Sequence, residues 1–275
     1  MPETIICGLD IGSTKVCAVI GEIDDQGHVD IIGIGKSISF GLRKGVVINI
    51  DMTVHSVENA VKEAQLMAGV KIESVFAGIS GSHISGINSE SRISIPSSNK
   101  RITATDVERV VESAKPTSSI PPDRQIIHTI PQKFSLDDQD QIDNPIDMIG
   151  MKLGVEVHVI TSGISPTQNL VQSIEKTGVK IEKLAFSPLA GSTSVLNEDE
   201  KNLGVAMVDI GGGTTDIVIF INGSIWHSSV IGIGGMNISN DIAVGLRTPL
   251  NAAEKLKIDY GCALRSLIER DEQIE

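Results

Sequence analysis

Aromatic side chains are scarce in this chain of 275 residues, with five Phe, one Trp and one Tyr. Few platforms are therefore available for stacking unpaired bases. Positive charge is also short, since 23 Lys and Arg face 35 Asp and Glu for a net charge of −12. That balance argues against a phosphate backbone or a bare anionic membrane as a direct partner. Cysteine is limited to Cys7, Cys17 and Cys262, an odd number without metal-ligand spacing. These fit small buried residues of a reducing compartment better than a disulfide framework. No apolar run approaches the roughly 20 residues of a membrane-spanning helix. The start, MPETIICGLDIGS, lacks a basic n-region and reads as a first strand instead of a secretory signal. A cytoplasmic location is the expectation.

Familiar catalytic patterns are missing as well. The six histidines, at positions 28, 55, 83, 128, 158 and 227, show no paired ligand spacing. The run DDQDQID at 137–143 lacks the central glycine and terminal glutamate of a calcium loop, so it reads as a solvated loop. Ser80 in GISG has no Ser-His-Asp context to support a nucleophile turn.

What is present is an alternation of strands and helices, the pattern of an α/β fold. Residues 5–23 hold two apolar runs around Gly-Ser-Thr-Lys, and 30–39 add a third strand. Val54, Val57, Val61, Ala64 and Met67 then recur at helical spacing until Gly69, and a strand follows at 74–79. From 81 to about 145 the chain turns polar and rich in Ser and Pro. Within that part ATDVERVVESAK predicts a helix capped by Thr103 or Thr105, flanked by strands at 125–130 and 155–160. The next helix, 165–178, is expected to be capped by Ser165, with NEDEK (197–201) as a solvated turn.

A second beginning then appears. VDIGGGTTDIVIF at 208–220 repeats the plan of residues 8–20: strand, Asp-Ile-Gly, a turn of small residues, strand. Glycine supplies the positive φ that such turns need, so an ordinary hairpin explains either copy alone. Two copies about 200 residues apart imply two similar lobes facing each other across a cleft. Such a pair suits phosphate. Gly12, Gly211, Gly212 and Gly213 allow close backbone approach, while Ser13, Thr14, Thr214 and Thr215 add hydroxyl donors. Asp10 and Asp209, at the strand ends, are placed to organise Mg²⁺ and water, the cation keeping most of its hydration. Lys15 offsets phosphate charge. Further on, Gly234, Gly235 and Asn237 open a helix capped near Asn237 or Ser239, whose N-terminus could face phosphate. Glu254 and Lys257 share one helix face, either as a surface pair or as contacts to a nucleoside.

LDIGSTKV and VDIGGGTTDIVIF resemble the two phosphate motifs of the superfamily that unites actin, sugar kinases and heat-shock chaperones. Within it, residues 126–161 (IIHTIPQKFSLDDQDQIDNPIDMIGMKLGVEVHVIT), LAFSPLAGSTSVL and TPLNAAEKLKIDYGCAL resemble the FtsA family of bacterial cell division. The likeness runs nearly collinear from Ile5 onward. It implies an actin-like, ribonuclease H-like fold of two lobes with paired phosphate-binding hairpins and a small α+β insertion. The first lobe would comprise 1–81 and 162–198, the insertion 82–161 and the second lobe 199–275. ATP and Mg²⁺ would lie between the lobes, held by the two turns, with Gly234, Gly235 and Asn237 near the phosphates and Glu254 and Lys257 near the nucleoside. The resemblance also implies self-association into filaments, linkage of FtsZ to the cytoplasmic face of the membrane at the division site, and contact of later division proteins with the insertion.

The chain stops at RSLIERDEQIE, where the family continues. The expected second lobe is therefore incomplete, without the glycine-rich adenosine motif and the C-terminal amphipathic membrane helix. Turnover is expected to be weak or nil, because the segment PLAGSTSVL before the second hairpin offers only the hydroxyls of Ser192, Thr193 and Ser194 as polar side chains. A small-molecule kinase or a pilus-assembly ATPase of the same superfamily is the alternative reading.

Overall fold

The computed structural model describes residues 4–96 and 100–268. Strands β1 (Thr4–Ile11) and β2 (Lys15–Ile23) form an antiparallel hairpin in which Ile11 faces Val16 and Asp10 faces Cys17. Alternation sends Cys7, Leu9, Val16, Ala18 and Ile20 inward. β3 (Val29–Ile38) extends the sheet, and a short ribbon of β4 (Leu42–Arg43) and β5 (Val46–Val47) follows. Helix α1 (Ile50–Ala68) is capped by the Asn49 side chain and stopped by Gly69 at φ 71°. It lies directly on β3. A Cβ at Gly33 would stand 2.8 Å from the Ala68 Cβ, and one at Gly35 would strike the Ala60 carbonyl. β6 (Ser74–Ile79) then runs parallel to β1.

Next come β7 (Ile84–Ser94), α2 (Ala104–Ser113), β8 (Arg124–Leu136), β9 (Gln139–Ile142) and β10 (Lys152–Gly163). Their strand order is β7-β10-β8-β9. They enclose a core of their own, with Ile102, Val110, Leu153, Val155, Val157 and Val159 at its centre. Thr103, not Thr105, caps α2, in a reciprocal capping box with Asp106. The 137–143 run is not simply a loop. Asp137 takes φ 53°, its carboxylate accepts from the Met151 and Lys152 amides, and Gln139–Ile142 pairs back as β9.

α3 (Ile164–Glu175) returns the chain to the first sheet through β11 (Lys180–Phe186), giving the order β11-β6-β1-β2-β3. The N-cap of α3 is Gly163 and not Ser165, because the helix starts one residue earlier and Thr167 bonds back to the Gly163 carbonyl. α4 (Ser187–Val195) and α5 (Glu198–Leu203) follow. The expected solvated turn at 197–201 is thus the start of a short helix, fixed by a capping box between Asn197 and Glu200. The third sheet is β12 (Val205–Ile210), β13 (Thr215–Ile221) and β14 (Ser224–Ile231), followed by α6 (Gly235–Leu246), α7 (Leu250–Tyr260) and a 3₁₀ turn at Arg265–Leu267.

Val218, Phe220 and Ile225 of this last sheet share one core with β1, β2, β6, α1 and α3. Each fully buried Leu, Ile or Phe there contributes about 1.5–3 kcal/mol of transfer free energy. Of the cysteines only Cys7 is buried; Cys17 is half-buried and Cys262 exposed, and all three are free. Among the described residues, no helix is long and apolar enough to cross a membrane.

Candidate functional site

The two repeated turns close with the same backbone bond. The Gly12 amide donates to the Lys15 carbonyl at 2.9 Å, and the Gly211 amide donates to the Thr214 carbonyl at 2.9 Å. In register Asp209 faces Asp216 as Asp10 faces Cys17, so Thr214 occupies the place of Lys15 and Asp216 that of Cys17. The glycines of these turns serve by their size. Gly12, Gly211, Gly212 and Gly213 are all absent from the positive-φ residues, contrary to the sequence expectation. Instead the turns interlock: a Cβ at Gly213 would lie 2.6 Å from the Ser13 hydroxyl, and one at Gly212 would collide with the Thr14 side chain. No other residue type leaves that room.

Together they wall a cleft of about 420 Å³. Asp10, Gly12, Ser13, Thr14 and Lys15 line one side, and Asp209, Gly211, Gly212, Gly213 and Thr214 the other. Thr215 is at the base of its turn, where its hydroxyl donates to the Ile233 carbonyl. Gly234, Gly235 and Asn237 stand behind the second turn. The amides of Gly235 and Met236 donate to the carbonyls of Gly211 and Gly212, and the Asn237 side chain accepts from the Gly234 amide. The N-cap of α6 is therefore Gly234, with Asn237 and Ser239 inside the helix. Glu254 and Lys257 brace this arrangement from α7: Lys257 Nζ reaches Glu254 at 2.8 Å and the Gly235 carbonyl at 3.3 Å, while Ser239 donates to Glu254. Neither is among the residues that line the cleft.

Besides Ile11 and Ile210 inside the two motifs, sequence reasoning missed four residues of the cleft wall: Gly45, Ser80, Ser187 and Asp216. Asp216 was legible in principle, since a turn closed by residues 211–214 puts it directly across from Asp209. The other three arrive from distant segments and carry no local signal. Gly45 donates its amide to the Ser13 hydroxyl at 3.1 Å, and Ser187, at the start of α4, reaches Asp10 at 3.4 Å. Ser80 donates to Asp216, whose other oxygen accepts from Thr214 at 3.1 Å. The hydroxyls of Ser192, Thr193 and Ser194 all turn back to carbonyls of their own helix.

Burial sets the electrostatics of this cleft. It pushes the Asp10 carboxyl above its ordinary range; Lys15 and Ser187 oppose the shift and Asp209 adds to it. Asp216 is raised for the same first reason, against its bonds from Ser80 and Thr214, and Asp209 and Asp10 add to the rise. Three neighbouring carboxylates in a partly dry cleft favour an incoming cation. Among the described residues no set of three or more His, Cys, Asp or Glu side chains is close enough to cage a metal. That donor set fits a hydrated Mg²⁺ held through few protein ligands better than a fully coordinated ion.

Comparison with known proteins gives the arrangement its family. Residues 81–161 match the SHS2 domain inserted in FtsA, and residues 206–275 match the cell division protein FtsA. Similar relatives are the cell division proteins FtsA of Pseudomonas aeruginosa, 44% identical over 98% of this chain and 64% of that protein, and of Neisseria meningitidis serogroup B, 46% identical over 95% and 62%. That of Escherichia coli K12 is 40% identical over 98% and 64%. The chain thus spans a little under two thirds of the length of these relatives. Among solved structures it resembles the PilM-PilN type IV pilus biogenesis complex, with a TM-score of 0.70 at 17% identity over 93% of this chain and 70% of that one. It also resembles MreB 5 of Spiroplasma citri bound to AMPPNP, with a TM-score of 0.52 at 14% identity over 97% and 65%. At such identities the likeness shows the fold alone, and that fold is actin-like. On the sequence matches along nearly its whole length, the chain belongs to the FtsA family of cell division proteins.

Proposed function

We propose that the cleft binds ATP with Mg²⁺, and that the chain serves in a filament-forming scaffold that links the FtsZ ring to the cytoplasmic face of the membrane. The observation that carries the reading is the pair of equivalent turns, 12–15 and 211–214, facing each other across the cleft with Asp10 and Asp209 at their strand ends. Converging amides and hydroxyls suit phosphate oxygens, and Lys15 adds the positive charge. Asp10 and Asp209 would hold the cation largely through water, with Asp216 close by. When bound, Mg²⁺ would supply the positive charge that offsets both the phosphates and these carboxylates. The nucleotide acts mainly as a conformational switch, since the hydroxyls of α4 are engaged with their own helix and are poor bases.

The domain division follows the duplication. Residues 1–81 with 162–198 form the first lobe, 199–275 begin the second, and 82–161 are the insertion that contacts later division proteins. β12-β13-β14 repeats β1-β2-β3, with Val208 52% and Ile210 71% exposed on β12. Equilibrium dialysis with Mg-ATP tests the nucleotide reading, and co-sedimentation of the full-length protein with FtsZ tests the scaffold reading. Binding lost in Asp10→Asn and Asp209→Asn, with nucleotide-dependent co-pelleting, is the expected result. Absence of both in the wild type overturns the proposal.

A further inference from the structure

A hydroxyl just before the insertion reaches a carboxylate of the cleft. Ser80 lies between β6 and Gly81, two residues before the insertion, and its hydroxyl donates to Oδ1 of Asp216 inside the cleft. The same point is pinned from two further sides. Gly45, bonded to Ser13 of the first turn, packs against the Ser80 carbonyl and Gly81, and the Ser82 amide reaches the Lys44 carbonyl at 3.4 Å. The root of the insertion closes where the Gly163 amide donates to the His83 carbonyl at 3.2 Å, joining its way in to its way out.

A second connection leaves Asp216 along its own sheet. Asp216 pairs with Val230 on β14, two residues from Ser228. The Ser228 hydroxyl meets Nε2 of His158 at 2.8 Å, and Nδ1 of the same ring meets Asn88 at 2.6 Å. Asn88 donates to the Trp226 carbonyl at 3.0 Å, Gln132 to the Ile225 carbonyl at 2.6 Å, and Ser224 to the Gln132 carbonyl at 2.8 Å. Gly86 of β7 makes the approach possible, since a Cβ there would stand 2.7 Å from Nε2 of His158. The insertion is therefore held by polar groups at both ends of the path that starts at Asp216.

We propose that Asp216 couples occupancy of the cleft to the seating of the insertion, with the Ser80 hydroxyl as the contact that is exchanged. The inference rests on the nucleotide reading above. A hydrated cation on a nucleoside triphosphate, held near Asp10 and Asp209, would compete with Ser80 for Oδ1 of the neighbouring Asp216. Its arrival weakens the Ser80 bond and alters how β13 and β14 sit against β7, β8 and β10. A ligand shifts such an equilibrium only as far as its affinities for the two arrangements differ, and couplings of this kind are typically about 5- to 150-fold in affinity.

The chain carries its own reporter, because its one tryptophan, Trp226, lines a groove with Asn88, Glu90, Gln132 and Glu156 at the junction of β14 and the insertion. The experiment is a titration of the protein with Mg-ATP that follows Trp226 emission, with bound nucleotide measured in parallel by dialysis. A saturable emission shift is expected in the wild type. At saturating nucleotide it is lost in Ser80→Ala, restored in Ser80→Thr, and reduced in Ser228→Ala, which lies outside the cleft. Nucleotide binding without an emission shift, or a shift undiminished in Ser80→Ala, overturns the coupling and leaves the nucleotide reading intact. Failure of the wild type to bind nucleotide overturns both.

Discussion

The two hairpins that wall the cleft have one backbone and opposite side chains. Both close with a 2.9 Å amide-to-carbonyl bond across four residues, and both follow an Asp-Ile-Gly strand end. The first then carries Ser13, Thr14, Lys15 and Cys17, where the second carries Gly212, Gly213, Thr214 and Asp216. The difference is complementary: side chains of the first turn fill the space left empty on the second, and the cation of one and the additional carboxylate of the other line the same cleft. A repeated supersecondary unit has thus become two unlike halves of a single site. The glycines are the price of fitting them together.

Adding bulk to the second turn is the most severe way to break this complementarity. Gly212→Val and Gly213→Leu drive atoms into Thr14 and Ser13, and overpacking of about 1–3 kcal/mol is expected to weaken Mg-ATP binding by about 5- to 150-fold in equilibrium dialysis. The matching change in the first turn, Gly12→Ala, meets only the Lys15 carbonyl at 3.1 Å and is expected to cost less. Equal losses on the two sides would show that the turns do not interlock. A sharper version is the double mutant. Thr14→Gly is expected to relieve Gly212→Ala, with a coupling of about 0.5–3 kcal/mol in denaturant unfolding, whereas additive losses would place the two residues out of contact.

Next in size is the exchange at the paired strand positions. Asp216 is raised by burial, so ionising it costs stability in the folded state. Asp216→Asn is therefore expected to raise the melting temperature while weakening the Mg²⁺ dependence of nucleotide binding, and Cys17→Ser to do neither. The smallest effect separates the two sheets by pH. His158, which joins β14 to the insertion, is pulled down to about 4, first by burial and then by His227, and His83 is likewise near 4, first by burial and then by Arg124. Their neutral forms give stability that is fully present above the ordinary value of 6.5 and is lost as pH falls from there toward 4. The raised carboxyls of Asp10 and Asp216 have the other sign: their contribution is present at low pH and lost as pH rises through their raised values. Denaturant unfolding from pH 7 to pH 4 is expected to show a decline that His158→Gln flattens. No change of slope in that variant would remove His158 from the account.

Most of the architecture was legible because period and punctuation agree. Val57, Val61 and Ala64 mark one helix face before Gly69, and the strand around Asp10 is read from its alternating buried residues, whereas β12 around Asp209 is an apolar run without alternation. The misses have specific causes. Residues 197–201 are one Asn and four charged residues, and Leu203 is the single apolar residue of α5, too little to mark a helix; its capping box, Asn197 with Glu200, was the available signal. Ser165 looked like the cap of α3 because it precedes Pro166, yet Ile164 extends the helix and leaves the role to Gly163. In the site, both turns could be found by their repetition. Their interlocking could not, since it depends on how two segments 200 residues apart meet. Ser80, Ser187 and Gly45 enter the cleft from three further segments and are visible only in three dimensions.

The most direct test of the central claim is a crystal structure of the protein grown with Mg²⁺ and a non-hydrolysable ATP analogue. The account predicts the phosphates between residues 12–15 and 211–214, touched by amides of both turns, with the metal on the side of Asp10 and Asp209. A nucleotide bound elsewhere, or phosphates held by one turn alone, would contradict it.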